Sequence, residues 1–285
     1  MTSEQKVAAP AANRVDRLFA RLKDQGDTGL IVYVTGGDPA PQLTADIVLQ
    51  VFAAGADMIE LGMPFSDPLA DGPVIQRAAQ RALAAGTRLA HILEAARTVR
   101  ERGEERPLAL LCYVNNVLQH GFDRLPRQLA EAGFDALVVP DLPWEEKEPL
   151  AGACRAAGIH LVPFLAPTSP DERIAAVGGE PGGFVYCVSL TGVTGARSQI
   201  PPEAEAMLNR ARRLCSRPLA LGFGIGSPEQ AAQLRGLADA VIVGSAVVQR
   251  IEGAALDPAL DRVPPGALEP VTGFVGSLKA ALQGR

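Results

Sequence analysis

The chain has 285 residues, 47 % hydrophobic and 21 % charged, with a net charge of −5. That composition excludes an intrinsically disordered chain, and the mild acidity argues against nucleic acid or an anionic membrane as a partner. No apolar run approaches the ~18 residues of a membrane span. The first dozen residues, MTSEQKVAAPAA, lack the apolar stretch of a secretory signal. The chain is therefore expected in the cytoplasm, with residues 1–12 as a disordered extension.

Strands and helices are predicted to alternate strictly. After a helix near residues 13–23, short apolar, β-branched runs fall at 29–34, 57–61, 108–112, 136–139, 160–162, 183–188, 219–222 and 240–243. They are continuous rather than alternating, as parallel strands buried on both faces require. Amphipathic stretches separate them at 43–54, 74–85, 89–102, 124–132, 145–157, 171–177, 203–215 and 228–236, and helices at about 244–252 and 267–282 follow the last strand. Three joints repeat one small signature, AAGADMIEL, EAGFDALVV and RAAGIHLVP, in which a glycine ends the helix and the next strand starts at once. Eight such units predict one (β/α)8 barrel over residues 13–285, with an extra N-terminal helix and extra helices after strands two and eight. An open doubly wound sheet is the rival.

A barrel of this kind carries its chemistry at the carboxyl ends of the strands. After strand two, MIELGMPFSDPLADGPVIQ places Glu60 inside an apolar strand and Asp71 in a loop stiffened by Pro64, Pro68, Gly72 and Pro73. A carboxyl in an apolar strand is costly without a partner or a task, and burial raises its pKa towards neutrality, where a general acid/base works in both directions. A satisfied core ion pair is the plain alternative for Glu60. For Asp71 the alternative to a second working carboxylate is a cap on the helix opening at Pro73; Asp67 reads as a turn residue.

The loops after strands six, seven and eight, SLTGVTGARSQIPP, GFGIGSPEQ and VGSAVV, are rich in glycine. Glycine lets backbone N–H groups approach an anion, and helix N-termini add partial positive charge, so Gly195, Gly224 and Ser245 are candidate phosphate donors. The long loop 191–202 is a candidate lid. Tyr33, Tyr113 and Tyr186 fall within or at the end of strands one, three and six; with Phe223 they suit a pocket for a planar ring, or simply fill the barrel.

Other chemistries lack their residues. Lys6, Lys23, Lys147 and Lys279 avoid the strand ends, against a Schiff-base aldolase. The histidines (His91, His120, His160) and cysteines (Cys112, Cys154, Cys187, Cys215) are too scattered for a zinc motif, and no disulfide is expected. The arginine-rich stretch 97–106 reads as a solvated face.

In sum the chain resembles the tryptophan synthase α subunit family. The resemblance is carried in order by YVTGGDP (33–39), ELGMPFSDPLADGPVIQ (60–76), LCYVNN (111–116), VVPDLPWEE (138–146), APTSP (166–170), TGVTGAR (191–197), GFGIGSPEQ (222–230) and VGSAVV (243–248). It implies a lyase that cleaves indole-3-glycerol phosphate to indole and glyceraldehyde 3-phosphate in a retro-aldol reaction without a cofactor of its own. It implies Glu60 as acid/base, Asp71 as the carboxylate on the indole N–H, and Tyr33, Tyr113, Tyr186 and Phe223 as the substrate pocket. Gly195, Gly224, Gly244 and Ser245 fall at the phosphate site, and Thr191, Gly192 and Thr194 in the lid. It further implies a β subunit carrying pyridoxal phosphate, an αββα complex, and indole passed between the subunits, with the loop 64–71 and the lid as coupling surfaces. Leu190 stands where many relatives carry arginine, and TGGDP replaces the commoner TAGDP. A stand-alone indole-releasing lyase and a non-catalytic regulatory subunit are the competing readings.

Overall fold

The computed structural model describes residues 12–188, 202–222 and 224–283. Nine parallel strand segments form one sheet: β1 (Gly29–Thr35), β2 (Met58–Gly62), β3 (Leu108–Leu111), β4 (Ala136–Val138), β5 (His160–Val162), β6 (Phe164–Leu165), β7 (Val185–Val188), β8 (Leu219–Gly222) and β9 (Ala240–Val243). Their order is β5-β4-β3-β2-β1-β9-β8-β7-β6. β5 and β6 are two pieces of one strand, separated by Pro163, which has no N–H to give. β5 pairs with β4 and β6 with β7, and the Pro163 carbonyl accepts from the Tyr186 N–H at 2.9 Å. The ring of strands therefore closes across the proline, as the eight-stranded barrel expected from the sequence. The rival open sheet is excluded.

Side chains alternate across the wall with the two-residue period of a strand. Leu30, Val32 and Val34 of β1, with Ile59 and Leu61 of β2, pack outward against the helices. Ile31, Tyr33, Met58, Ala109, Ala136, Ala220 and Ala240 point inward. Four of those seven are alanines, and Ala136 and Ala240 are the first residues of β4 and β9, so the lower barrel is not filled by its own strands.

The lower barrel is filled by the predicted N-terminal helix α1 (Arg14–Gln25), which turns Val15, Leu18, Phe19 and Leu22 into the interior cluster. Phe19 meets Phe184 with ring centroids 5.5 Å apart. Polar bonds tie α1 to the strand starts. Asn13 Nδ2 donates to the Asp135 carbonyl at 2.9 Å, the Gly183 N–H donates to Asp16 at 2.8 Å, and His160 meets Asp16 at 2.8 Å. Arg14 pairs with Asp135 and Arg21 with Asp57.

The repeated joints hold a device that the glycine signature only partly reveals. In AAGADMIEL and EAGFDALVV, the aspartate entering the strand accepts an N–H from the start of the preceding strand. Asp57 takes Leu30 N at 2.8 Å and Asp135 takes Leu108 N at 3.0 Å. Asp239 does the same for Leu219 N at 2.7 Å. In RAAGIHLVP that place belongs to His160, which faces Asp16 instead. Each aspartate satisfies a buried donor at the barrel floor.

The helices confirm both expected insertions. After β2 come α2's successors α3 (Pro73–Ala84) and α4 (Leu89–Glu101), α2 itself being Thr44–Ala53; after β9 come α11 (Ser245–Gly253) and α12 (Glu269–Leu282). One helix was not anticipated: α5 (Val114–His120) precedes the expected α6 (Arg124–Glu131). Its two asparagines lower helix propensity, but Asn116 Oδ1 accepts the Tyr113 N–H at 3.2 Å and so caps the first turn. The remaining helices are α7 (Glu148–Ala157), α8 (Asp171–Gly178), α9 (Pro202–Leu214) and α10 (Pro228–Ala232), the last shorter than predicted.

The stretch 97–106 exposes Arg97, Glu101, Arg102 and Glu105 as a solvated face should, but Arg100 and Arg106 depart from that expectation. Arg100 donates to the carbonyls of Gly133, Glu104 and Arg106 and pairs with Asp135. Arg106 lies 4.5 Å over the Phe52 ring and donates to the Phe52 and Ala56 carbonyls. Helix ends leave carbonyls without partners, and these two guanidinium forks satisfy them. All four cysteines are buried and free.

Candidate active site

Glu60 sits mid-strand in β2, between Tyr33 of β1 and Ala109 of β3 in register. It faces inward and is 2 % exposed. Its carboxyl makes no ion pair or hydrogen bond among the described residues, so the satisfied ion pair weighed from the sequence does not exist there. Burial, and after it the charge of Asp71, pushes Glu60 up to about 8. A carboxylic acid at that value is mostly protonated at neutral pH, yet can give and recover a proton.

Asp71 approaches from the loop after β2. The helix that the alternative reading has it cap, α3, is capped by Gly72, with Pro73 in its first turn and no side-chain cap bond. The Asp71 carboxylate turns instead to Tyr113, whose hydroxyl donates to Oδ2 at 2.9 Å. The same hydroxyl accepts the Ala70 N–H at 3.1 Å. One phenol thus clamps both the carboxylate and the backbone beside it. Gln76 Nε2 donates to the Asp71 carbonyl at 2.9 Å, and the Met63 N–H to Leu111 O at 2.8 Å, fixing the loop at both ends. Burial raises the Asp71 pKa, and the Tyr113 hydrogen bond works against that rise by favouring the charged form.

Tyr33 and Tyr186 complete the chamber by leaning over glycines of neighbouring strands. A Cβ on Gly62 would lie 2.1 Å from the Tyr33 hydroxyl, and one on Gly222 would lie 2.6 Å from the Tyr186 ring. Only glycine leaves room for these rings. Tyr33 is 6 % exposed and Tyr186 half-buried. Burial pushes both phenols well above the usual range, and the charges of Glu60 and Asp71 push further, so both stay protonated. The charge of Asp71 contributes to the shifts of Glu60, Tyr33 and Tyr186, so these three groups lie within electrostatic reach of Asp71.

Two aromatic neighbours were missed by sequence reasoning. Phe164 stacks on Tyr186 at 4.9 Å, and Phe65 on Tyr113 at 5.3 Å. Phe164 was hidden because the strand reading ended at Val162, before Pro163. Two-residue alternation from Val162 would have found it.

Of the candidate phosphate residues, Gly224, Gly244 and Ser245 follow the adjacent strands β8 and β9. Gly244 precedes α11, whose first residues Ser245 and Ala246 have N–H groups with no intrahelical acceptor. Gly224 is exposed at a φ of +31° with open space where a side chain would be. Gly195, Thr191, Gly192, Thr194, Leu190 and Phe223 lie outside the described residues. Among the described residues no group of three or more His, Cys, Asp or Glu could hold a metal ion, and no helix is long and apolar enough to cross a membrane.

Comparison with known proteins matches this architecture throughout. The sequence profile of the family "Tryptophan synthase alpha chain" covers residues 19–263. The tryptophan synthase alpha chain of Carboxydothermus hydrogenoformans is 46 % identical over 240 residues, 84 % of this chain and 90 % of that one. That of Citrifermentans bemidjiense is 44 % identical over 270 residues, 94 % and 97 % of the two chains. Among solved structures, tryptophan synthase subunit alpha from Legionella pneumophila superposes with a TM-score of 0.84 at 35 % identity, covering 95 % of this chain and 99 % of that one. A tryptophan synthase chain from Mycobacterium tuberculosis gives 0.85 at 33 % identity, covering 96 % and 100 %. The chain belongs to the tryptophan synthase alpha chain family.

Proposed function

We propose that the chain cleaves indole-3-glycerol phosphate to indole and glyceraldehyde 3-phosphate, with Glu60 and Asp71 as its working carboxylates. The observation that carries this assignment is the pair itself. One carboxyl is buried, without an ion pair or hydrogen bond among the described residues and titrating at about 8; the other is clamped by Tyr113 across the same chamber.

The chemistry follows from the two environments. At pH 7 Glu60 is protonated by about ten to one. It gives that proton to C3 of the indole ring, which becomes an indoleninium cation with the positive charge on its nitrogen. Asp71, an acceptor for the ring N–H, stabilises that charge. Glu60, now a carboxylate, takes the proton from the glycerol hydroxyl as the bond from C3 to the side chain breaks. The electron pair of that bond returns to the ring, restoring indole. The hydroxyl carbon leaves as the aldehyde of glyceraldehyde 3-phosphate. Glu60 ends protonated, ready for the next turnover, and no co-reactant is consumed.

Tyr33 and Tyr186, kept neutral, wall the flat ring from water. Gly224, Gly244 and Ser245, with Gly195, would hold the phosphate through main-chain N–H groups. Thr191, Gly192 and Thr194 would belong to the lid over it.

A β subunit carrying pyridoxal phosphate is the partner that family membership implies; the αββα assembly, transfer of indole within it, and cytoplasmic residence are the finer parts of this reading. Leu69, 92 % exposed at the tip of the loop that ends in Asp71, supports a docking role for that loop. The test is indole release from indole-3-glycerol phosphate by the full chain, alone and with a β subunit. A low rate alone that rises strongly with the partner supports the reading. No indole under either condition overturns it.

A further inference from the structure

A second cavity lies outside the barrel mouth, where the wall is interrupted at Pro163. Its volume is about 330 Å³, within the ~300–1,000 Å³ range of small-molecule sites. Helix α7 leans on α6 and α8 on α9, and the cleft opens between α7 and α8. Pro163 and Phe164 form its floor, Ala151 one wall, and Trp144 lies along it.

Most charged groups in the cleft already have partners. Lys147 pairs with Glu180 at 2.6 Å and with Glu148 at 3.0 Å, and its ammonium rests 4.2 Å from the centre of the Trp144 ring. Asp141 accepts the Val114 N–H at 2.8 Å. Arg173 differs. Among the described residues its one ion pair, to the exposed Glu145, is long at 3.5 Å, and its buried Nε has no acceptor. A guanidinium presents five donors in a planar fork suited to a carboxylate. The unmet demand of this cleft is therefore for an acceptor, and its apolar surface combines two aromatic rings with prolines and aliphatic side chains such as Leu142 and Leu161.

We propose that this cleft is a binding site for a small aromatic carboxylate, the ring held against Trp144 and Phe164 and the carboxylate on the Arg173 fork. The site is separate from the reaction chamber, although Phe164 touches both. An incoming carboxylate displaces Glu145, which returns to water, and takes the guanidinium edge that Glu145 holds only at 3.5 Å.

Trp144 is the sole tryptophan of the chain, so its emission reports on the cleft directly. The full chain is titrated with 3-phenylpropanoate, excited beyond the absorption of the phenyl ring, with 3-phenylpropan-1-ol and acetate as controls. A saturable change is expected with the aromatic acid, at least about tenfold tighter than with the alcohol, and none with acetate. Arg173→Met weakens it about tenfold or more, while Asp71→Asn leaves it unchanged. Ligand-induced thermal stabilisation of Arg173→Lys, which keeps the charge and loses the fork, gives a second measure and is expected to fall between the wild type and Arg173→Met. Equal affinity for acid and alcohol, absence of saturation, or loss of the signal in Asp71→Asn overturns the proposal, the last by moving the ligand into the reaction chamber.

Discussion

Replacing Glu60 by glutamine should make the protein less active and, at alkaline pH, more stable. The argument is one of linked protonation. In the unfolded chain Glu60 releases its proton near 4.5; in the folded chain it holds the proton until about 8. Between those values the folded state binds one proton more than the unfolded state, so stability falls as pH rises. At ~1.4 kcal/mol per tenfold change, the cost of ionising this buried carboxyl totals about 5 kcal/mol. Glutamine is nearly isosteric and never ionises. Its amide adds a cost of its own, but that cost does not vary with pH. The stability difference between Glu60→Gln and the wild type should therefore move in the variant's favour by about 3–4 kcal/mol between pH 5 and pH 8, and level off above. Urea unfolding of both proteins across that range measures it, because pH effects from other groups cancel in the difference. Indole release by Glu60→Gln should fall at least ~100-fold over the same range, the scale of one general acid/base. A gap that stays constant with pH would show that Glu60 titrates ordinarily in the folded chain, and the acid/base assignment would lose its physical basis.

Tyr113→Phe removes the donor to Asp71 and the acceptor for the Ala70 N–H. Turnover should drop about 10- to 100-fold, the worth of one hydrogen bond to a charged group, and the pH at which Asp71 loses its proton should rise; unchanged kinetics would exclude the clamp. Gly222→Ala should push the Tyr186 ring out of place, raising KM for indole-3-glycerol phosphate with little change in the unfolding midpoint, as paired kinetics and thermal melts would show. Asp135→Asn leaves Arg14 and Arg100 facing a neutral group at the barrel floor and should cost about 3 kcal/mol in urea unfolding, the lower end for breaking a buried pair, without changing the pH profile of activity.

The barrel was legible because its evidence is periodic. Buried parallel strands read as continuous apolar runs, and Gly55, Gly133 and Gly158 mark the joints. Glu60 stood out for the opposite reason, as a charge that its own strand could not accommodate. What escaped were features fixed by contacts distant in sequence. The alliance of Tyr113 with Asp71 spans 42 residues, and no local pattern separates an aspartate that caps α3 from one that reaches across the mouth. Arg100 and Arg106 looked like solvent-facing charge because many of their acceptors are carbonyls, which have no sequence signature. The aspartates of the joints were visible as a repeat, yet their purpose emerges only when the start of the neighbouring strand brings an N–H. α5 was hidden by asparagines that are poor inside helices and good at their ends. The loops holding Gly195, Thr191, Gly192, Thr194 and Phe223 fall outside the described residues, so their roles rest on the family resemblance.

The helix that stoppers the barrel makes the molecule a cup rather than a tube. With α1 wedged among the strand starts and bonded to Asp57, Asp135, His160 and Gly183, the described residues leave no second doorway at the far end. Substrate and both products must then share one rim, and a neighbour seated over that rim governs the traffic in both directions.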